Sequence, residues 1–161
     1  MCSQETYNHL DIDDSTITLH DCYATHIAVE DNCISFYFEN GFWITPDHKQ
    51  SKLTDIVRTD SSRVDFNFEE TDLDNISVYV FHKNLFRKTI REEWSIHKLA
   101  EFVNSDTFSF EFLYQYKGYN ELLYDCLLHF DKSPYHYECQ LKIPATKVIY
   151  RWNNLCSNKK W

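Results

Sequence analysis

From Cys33 to Glu39 the side chains alternate in character, with Ile34, Phe36 and Phe38 on one side of an extended chain and Ser35, Tyr37 and Glu39 on the other. A period of two belongs to a half-buried β-strand, because successive Cβ atoms leave a strand in opposite directions. The pattern recurs along the chain. Val64, Phe66 and Phe68 alternate with Asp65, Asn67 and Glu69, and Phe108, Phe110, Phe112, Tyr114 and Tyr116 share one parity. Residues 76–82, 121–130, 135–143 and 146–152 are rich in β-branched and aromatic side chains and are separated by turn-forming clusters. One segment departs from this period. Ile96, Leu99, Ala100 and Val103 recur at i, i+3, i+4 and i+7 behind Ser95, which predicts a short helix with a serine N-cap.

The connections point to antiparallel pairing. Asn40-Gly41 lies between Cys33–Glu39 and Phe42–Thr45, and a type I′ hairpin turn, whose two central residues need positive φ, favours that dipeptide. Residues 21–29 read as one further strand, turned back by Glu30-Asp31-Asn32. The expected fold is mainly β (α+β with one short helix), an antiparallel meander forming a sheet or sandwich, in a single domain over residues 1–161. Residues 1–16 are polar and acidic and read as a loosely ordered acidic arm or a short edge segment.

Composition matters for what it removes. The 161 residues include only 2 glycines, Gly41 and Gly118, both at expected turns. None is left for a phosphate-cradling loop, a dinucleotide fingerprint or a nucleophile elbow, so no nucleotide cofactor is expected. No apolar run approaches the ~20 residues of a spanning helix. Residues 1–5 lack the basic and apolar regions of a secretory leader. The six cysteines show no CxxC pair and no metal-ligand spacing. These features lead us to expect a cytoplasmic protein with reduced thiols, no metal, no cofactor and no membrane partner.

Charge is distributed unevenly. Residues 1–75 carry 16 acidic and 4 basic side chains, whereas residues 76–161 carry 9 and 12. The acids cluster at Asp11, Asp13 and Asp14, at Glu30 and Asp31, and at Asp65, Glu69, Glu70, Asp72 and Asp74. Such a field repels phosphates, so direct nucleic-acid binding is not expected. It attracts basic proteins and raises their association rate, although an acidic surface that only keeps a chain in solution shows the same counts. Trp43, Tyr79, Tyr119 and Trp161 do not all fit a core-facing parity, and tryptophan and tyrosine anchor interfaces. A two-layered β protein would instead bury several of these rings.

Catalytic spacing is absent. The eight histidines form no HExxH or HxH pattern, although His136 and Glu138 share a strand face. Cys22 and His26 also share a face but lie about 13 Å apart at ~3.3 Å per residue. A pair such as Cys126 and His82 could meet only through the fold. No catalytic residue is assigned.

The stretch Leu19–Ile44 combines a His-Asp strand, an acidic turn, a second strand and Asn-Gly-Phe-Trp. It resembles the opening meander of small acidic bacterial immunity proteins encoded beside polymorphic toxins, including those of contact-dependent growth inhibition. The resemblance implies a cytoplasmic, non-enzymatic inhibitor that binds the toxic C-terminal domain of an effector one to one. Such domains are often basic nucleases, an RNase being expected here ahead of a DNase, and the inhibitor covers the active-site cleft. Charge and parity, not the resemblance, select the expected interface: Asp11, Asp13, Asp14, Glu30, Asp31, Trp43, Asp65, Glu69, Glu70, Asp72 and Asp74. The alternatives are a small cytosolic hydrolase-like enzyme whose Cys, His and acidic residues converge only in three dimensions, and an assembly module without chemistry.

Overall fold

A computed structural model describes residues 6–49 and 54–156. In chain order, β1 (His9–Ile12), β2 (Ile17–Thr18), β3 (Cys22–Ala24), β4 (His26–Glu30), β5 (Cys33–Phe38) and β6 (Trp43–Ile44) precede β7 (Val57–Thr59) and β8 (Ser62–Asn67). A 3-10 helix over Glu70–Asn75 leads into β9 (Ser77–Lys83), β10 (Thr89–Trp94) and the helix α1 (Ile96–Val103). The chain closes with β11 (Phe108–Lys117), β12 (Leu122–Phe130), β13 (His136–Ile143), β14 (Lys147–Trp152) and β15 (Leu155–Cys156). The fold is mostly β and every ladder is antiparallel, as the alternation predicts.

Two sheets make the core. The first has the order β1-β14-β8-β5-β4 and the second β10-β9-β13-β12-β11-β3. Their inner faces interdigitate through aromatic rings: Phe36 meets Phe110 and Phe112, and Phe66 meets Tyr124. Edge-to-face contacts such as Phe36–Phe112, with centroids 5.1 Å apart, are the favoured geometry for rings with a negative face and a positive rim. A smaller sheet, β15-β7-β6-β2, packs beside β14 through Phe42, which lies edge-on to Tyr150 and Trp152.

The helix forms where the 3.6 period places it. Ser95 Oγ accepts the Lys98 amide at 3.2 Å, and Ile96, Leu99, Ala100 and Val103 are buried. Asn104 at its C-terminus presents its side-chain amide to β4, accepting from the Ile27 amide and donating to the Ile27 carbonyl, both at 2.8 Å. An exposed strand edge invites pairing with other chains, and here an asparagine side chain occupies it.

Three expectations are corrected, and a fourth, which left two alternatives open, is decided between them. Residues 21–29 are not one strand: the chain bends at Thr25, so β3 joins the second sheet and β4 the first. Asn40-Gly41 does not close a type I′ hairpin. Gly41 has φ +72°, Asn40 is not in the positive-φ region, and β6 leaves β5 to pair with β2 and β7. Gly41 is required for a different reason, since a Cβ there would strike the Thr59 and Asp60 carbonyl oxygens. In β11 a bulge between Phe112 and Tyr114 shifts the register, so Phe110 and Phe112 face the core while Tyr114 and Tyr116 are exposed. An extra residue in one strand reverses the parity beyond it. The acidic segment is no loose arm over its described part. Residues 9–12 are an edge strand paired with β14, the other alternative the sequence leaves open.

Candidate functional site: an acidic mouth between the sheets

The antiparallel order brings distant acidic turns to one end of the sandwich. The start of β14 lies beside the end of β8, which lies beside the start of β5 and hence the turn after β4. The chain leaving β1 joins them, with the Asp13 amide donating to the Val148 carbonyl at 2.8 Å. Asp13, Asp14, Glu30, Asp31, Glu69, Glu70 and Asp72 thus lie in or beside the connections at one end of the first sheet. Turns tolerate charge because their side chains reach water, which is why the acids accumulate there.

A cleft of about 870 Å³ opens at this end. Asp13, Asp14, Glu69 and Asp72 line it from the first sheet's loops, and Glu121 and Lys117 from the β11–β12 turn. Its apolar lining includes Ile17, Leu122, Val148 and Tyr150. Five carboxylates therefore face one ammonium group. Glu121 is paired with Lys142 at 3.0 Å. Asp13 accepts the Val148 amide at 2.7 Å, and Asp72 accepts from Asn75 at 2.9 Å, hydrogen bonds that fix the carboxylates without neutralising them. Asp13, Glu69 and Asp72 have no ion-pair partner among the described residues. Burial, reinforced by the charges of Asp13 and Asp14, pushes the Tyr150 hydroxyl far up, so it lines the mouth as a neutral group. Partial burial acts to raise the Asp14 carboxyl, but hydrogen bonds from Thr16 and the charges of His48 and Lys49 outweigh it and hold the group below its ordinary value.

Of the expected interface residues, Asp13, Asp14, Glu69 and Asp72 meet at the mouth, while Glu70 and Asp74 are exposed on the adjoining 3-10 helix. Glu30 and Asp31 lie at the β4–β5 turn at the same end of the sheet and do not line the cleft. Three expectations fail. Trp43 is 4% exposed, packed in the small sheet with the Arg58 guanidinium 4.7 Å above its ring. Asp65 is 3% exposed although its parity turns it away from the core. Its carboxylate accepts from Ser35 Oγ and Arg151 Nε, each at 2.7 Å, and from Arg63 Nη2 at 3.1 Å. Burial disfavours the Arg63 charge, yet Asp65 beside it holds the guanidinium above its ordinary range. Asp11 is also buried, in contact with His48 and Lys49.

That last cluster is the described set able to hold a divalent cation: ligand atoms of Asp11, Asp14 and His48 lie within 4.8 Å of one another. His48 Nε2 is 2.8 Å from Asp11 Oδ2 and 3.5 Å from Asp14 Oδ2. The Lys49 ammonium bonds the other Asp11 oxygen, so positive charge is already supplied by the chain. The arrangement acts as a clasp that ties β1 to the segment following β6. The spacing of His48 from the two acids, 34 and 37 residues away, carries no recognisable metal motif.

A second ionisable network was not legible in the spacing. Glu111, buried on β11, lies 2.7 Å from His129 Nε2 of β12. Burial first, then Glu111, pushes the neighbouring Tyr23 hydroxyl up to about 12. Ser109 stands opposite His129 in the ladder. The regular β11–β12 register and the β3–β11 pairing, which sets Tyr23 opposite Glu111, bring these residues together. Three of the cysteines fit a core role: burial pushes Cys22 and Cys139 up to about 12 and raises Cys126 well above its ordinary value, the reverse of what a nucleophile needs. His82 lies near Glu92 on β10, so it does not partner Cys126. No described helix is long and apolar enough to cross a membrane. Comparison of the chain with protein-family models, curated proteins and solved structures finds no match in any of the three.

Proposed function

We propose that the protein is a stoichiometric binding protein that receives a cationic protein segment in its acidic mouth, in the manner of an immunity protein covering a basic nuclease toxin. The observation that supports this reading is the gathering of Asp13, Asp14, Glu69, Asp72 and Glu121 around one cleft with an apolar lining. A lysine or arginine of the partner would exchange its hydration for these fixed carboxylates while its methylene stem lies against Leu122 and Val148. The same charges act at longer range. Steering raises association rates by orders of magnitude and is screened within a Debye length of ~8 Å at 0.15 M salt.

The test is surface-immobilised kinetics against the toxin domain encoded beside this gene. Tight 1:1 binding is expected, with association slowed by salt. Charge reversal of Glu69, Glu70 and Asp72 together should lower the on-rate at least tenfold, about 1.4 kcal/mol of barrier. Absence of binding at micromolar concentration overturns the immunity reading.

The enzyme reading has one observation in its favour, the Glu111–His129 pair beside a solvent-open hollow that Ser109 also lines. The described structure contains no hydrogen bond from Ser109 Oγ to His129. His129→Ala should therefore leave partner binding unchanged; a hydrolytic activity abolished by that substitution would favour the enzyme.

A further inference from the structure

The charge of this protein reverses locally at the far end of the second sheet, on its β9–β10 side, whereas Asp131 lies in the neighbouring β12–β13 turn and Glu138 opposite Phe81. Strand β9 runs away from the acidic mouth, and the β9–β10 loop forms a projecting tip there. Residues 83–91 carry Lys83, Arg87, Lys88 and Arg91 and no acidic residue, in a chain whose net charge is −9. All four cations are exposed, and none has an ion-pair partner among the described residues. The acids next along the hairpin are Glu92 and Glu93, and Glu92 is neutralised by Lys98 at 2.9 Å.

At the summit are two apolar side chains left almost wholly in solvent: Leu85 is 99% exposed and Phe86 83%. A slack loop would fold such groups down, but this one is built to hold them out. Asn84 Oδ1 accepts the amides of Phe86 and Lys88 at 3.0 and 2.9 Å. The Asn84 amide donates to the Lys88 carbonyl, the Arg87 amide donates to the Asn84 carbonyl, and Arg87 takes a φ of 59° to permit it. An asparagine that fixes the backbone two and four residues on sets the loop's shape independently of its apolar side chains.

From this combination we infer that the β9–β10 tip is a peripheral binding site for an anionic lipid bilayer surface, Leu85 and Phe86 entering the headgroup–acyl boundary while Lys83, Arg87, Lys88 and Arg91 meet lipid phosphates. A convex tip bearing two protruding side chains suits a deformable phase that closes around it, whereas a folded protein partner needs a matching concavity. The basic ring supplies the complementarity: each Lys or Arg near an anionic leaflet contributes about 1 kcal/mol, about fivefold in partitioning. Buried apolar area adds to that electrostatic attraction. Such contact requires no spanning helix, and the acidic mouth at the far end of the sandwich remains open while the tip is engaged.

The experiment is co-sedimentation of the full chain with vesicles of phosphatidylcholine alone and of phosphatidylcholine mixed with phosphatidylglycerol. Binding is expected on the anionic vesicles only, weakening as salt rises. Leu85→Ser with Phe86→Ser should reduce it at least tenfold, and Lys88→Gln about fivefold, with melting temperatures unchanged because all three side chains are exposed. Phe86→Trp should show an emission blue-shift on anionic vesicles that the soluble form lacks. Equal binding by wild type and the double serine variant, or no binding to either vesicle, overturns the proposal. Retention on a soluble polyanion without vesicle binding, lost in Lys88→Gln, overturns it in favour of an acidic macromolecular partner.

Discussion

Asp65 and Glu69 stand four residues apart, share one strand parity and look alike in the sequence, yet the fold uses them oppositely. Asp65 lies in mid-strand, where β14 and β5 flank β8 and bring Arg151 and Ser35 to its carboxylate. Arg63 lies against the rings of Tyr7 and Tyr37, so the outward face of the sheet is roofed at this point by the protein's own side chains. Glu69 lies past the end of β8 and faces the mouth without an ion-pair partner among the described residues. Parity decides which side of a sheet a residue takes; the neighbouring strands decide whether that side is dry. A dry carboxylate with its counterions holds the fold together, while a wet one without them is available to a partner.

The strongest way to break this comparison is to remove the dry acid. Asp65→Ala leaves two guanidinium groups near a buried position without their acceptor, and breaking one side of a buried ion pair costs about 3–5 kcal/mol. Urea denaturation should show a loss of that size, with a melting temperature lower by about 2–4 °C per kcal/mol. A loss below about 1 kcal/mol would mean that water reaches the cluster and that Asp65 belongs with the mouth. Asp65→Asn, which keeps the Ser35 hydrogen bond, should fall between.

The clasp of Asp11, Asp14 and His48 lies between the two extremes, dry at its base and wet at Asp14. His48→Ala strips the buried Asp11 of one of its partners and should cost about 1–3 kcal/mol, the penalty of a buried polar group left short of a hydrogen bond. The acid limb of stability sharpens the point. Because the Asp14 carboxyl is lower in the folded than in the unfolded chain, its contribution is full above the ordinary value of 3.8 and disappears as pH falls through the folded value. Asp14→Asn should flatten the stability curve in that window, and an unchanged acid limb would place the carboxylate outside the clasp.

What the sequence disclosed follows the range of the physics. Period-two alternation and the Ser95 N-cap are local, and the sheets and α1 stand where they indicate. Asn40-Gly41 misleads because a turn dipeptide reports backbone freedom rather than what the next strand pairs with; here β6 changes sheets, and Gly41 answers to the Thr59 carbonyl across the gap. Strand β10 carries no clear alternation, because Thr89–Trp94 is an edge strand with polar and charged side chains on both faces. The mouth was half legible. Acid clusters marked its loops, but their convergence depends on strand order, as does the meeting of Asp11, Asp14 and His48.

The smallest expected effect on stability comes from the wet acids, and its smallness is informative. Glu69→Gln with Asp72→Asn removes two charges from the mouth while preserving side-chain size, and the amide carbonyl oxygen introduced by Asp72→Asn can still accept the hydrogen bond that Asn75 now donates to Asp72. Two opposing terms act on the fold. Loss of negative charge at the start of the 3-10 helix over Glu70–Asn75 removes a favourable interaction with its amides, worth a few tenths of a kcal/mol. Loss of like charges facing Asp13, Asp14 and Glu121 across the cleft relieves repulsion of similar size. The net change should stay within about ±0.5 kcal/mol, the range of ordinary surface substitutions. Salt separates the two terms: adding it should stabilise the wild type by screening the repulsion, and the double variant less so. If the variant instead loses more than about 1 kcal/mol with no change in its response to salt, Glu69 and Asp72 are structural acids like Asp65, and the division between a dry middle and a wet mouth does not hold.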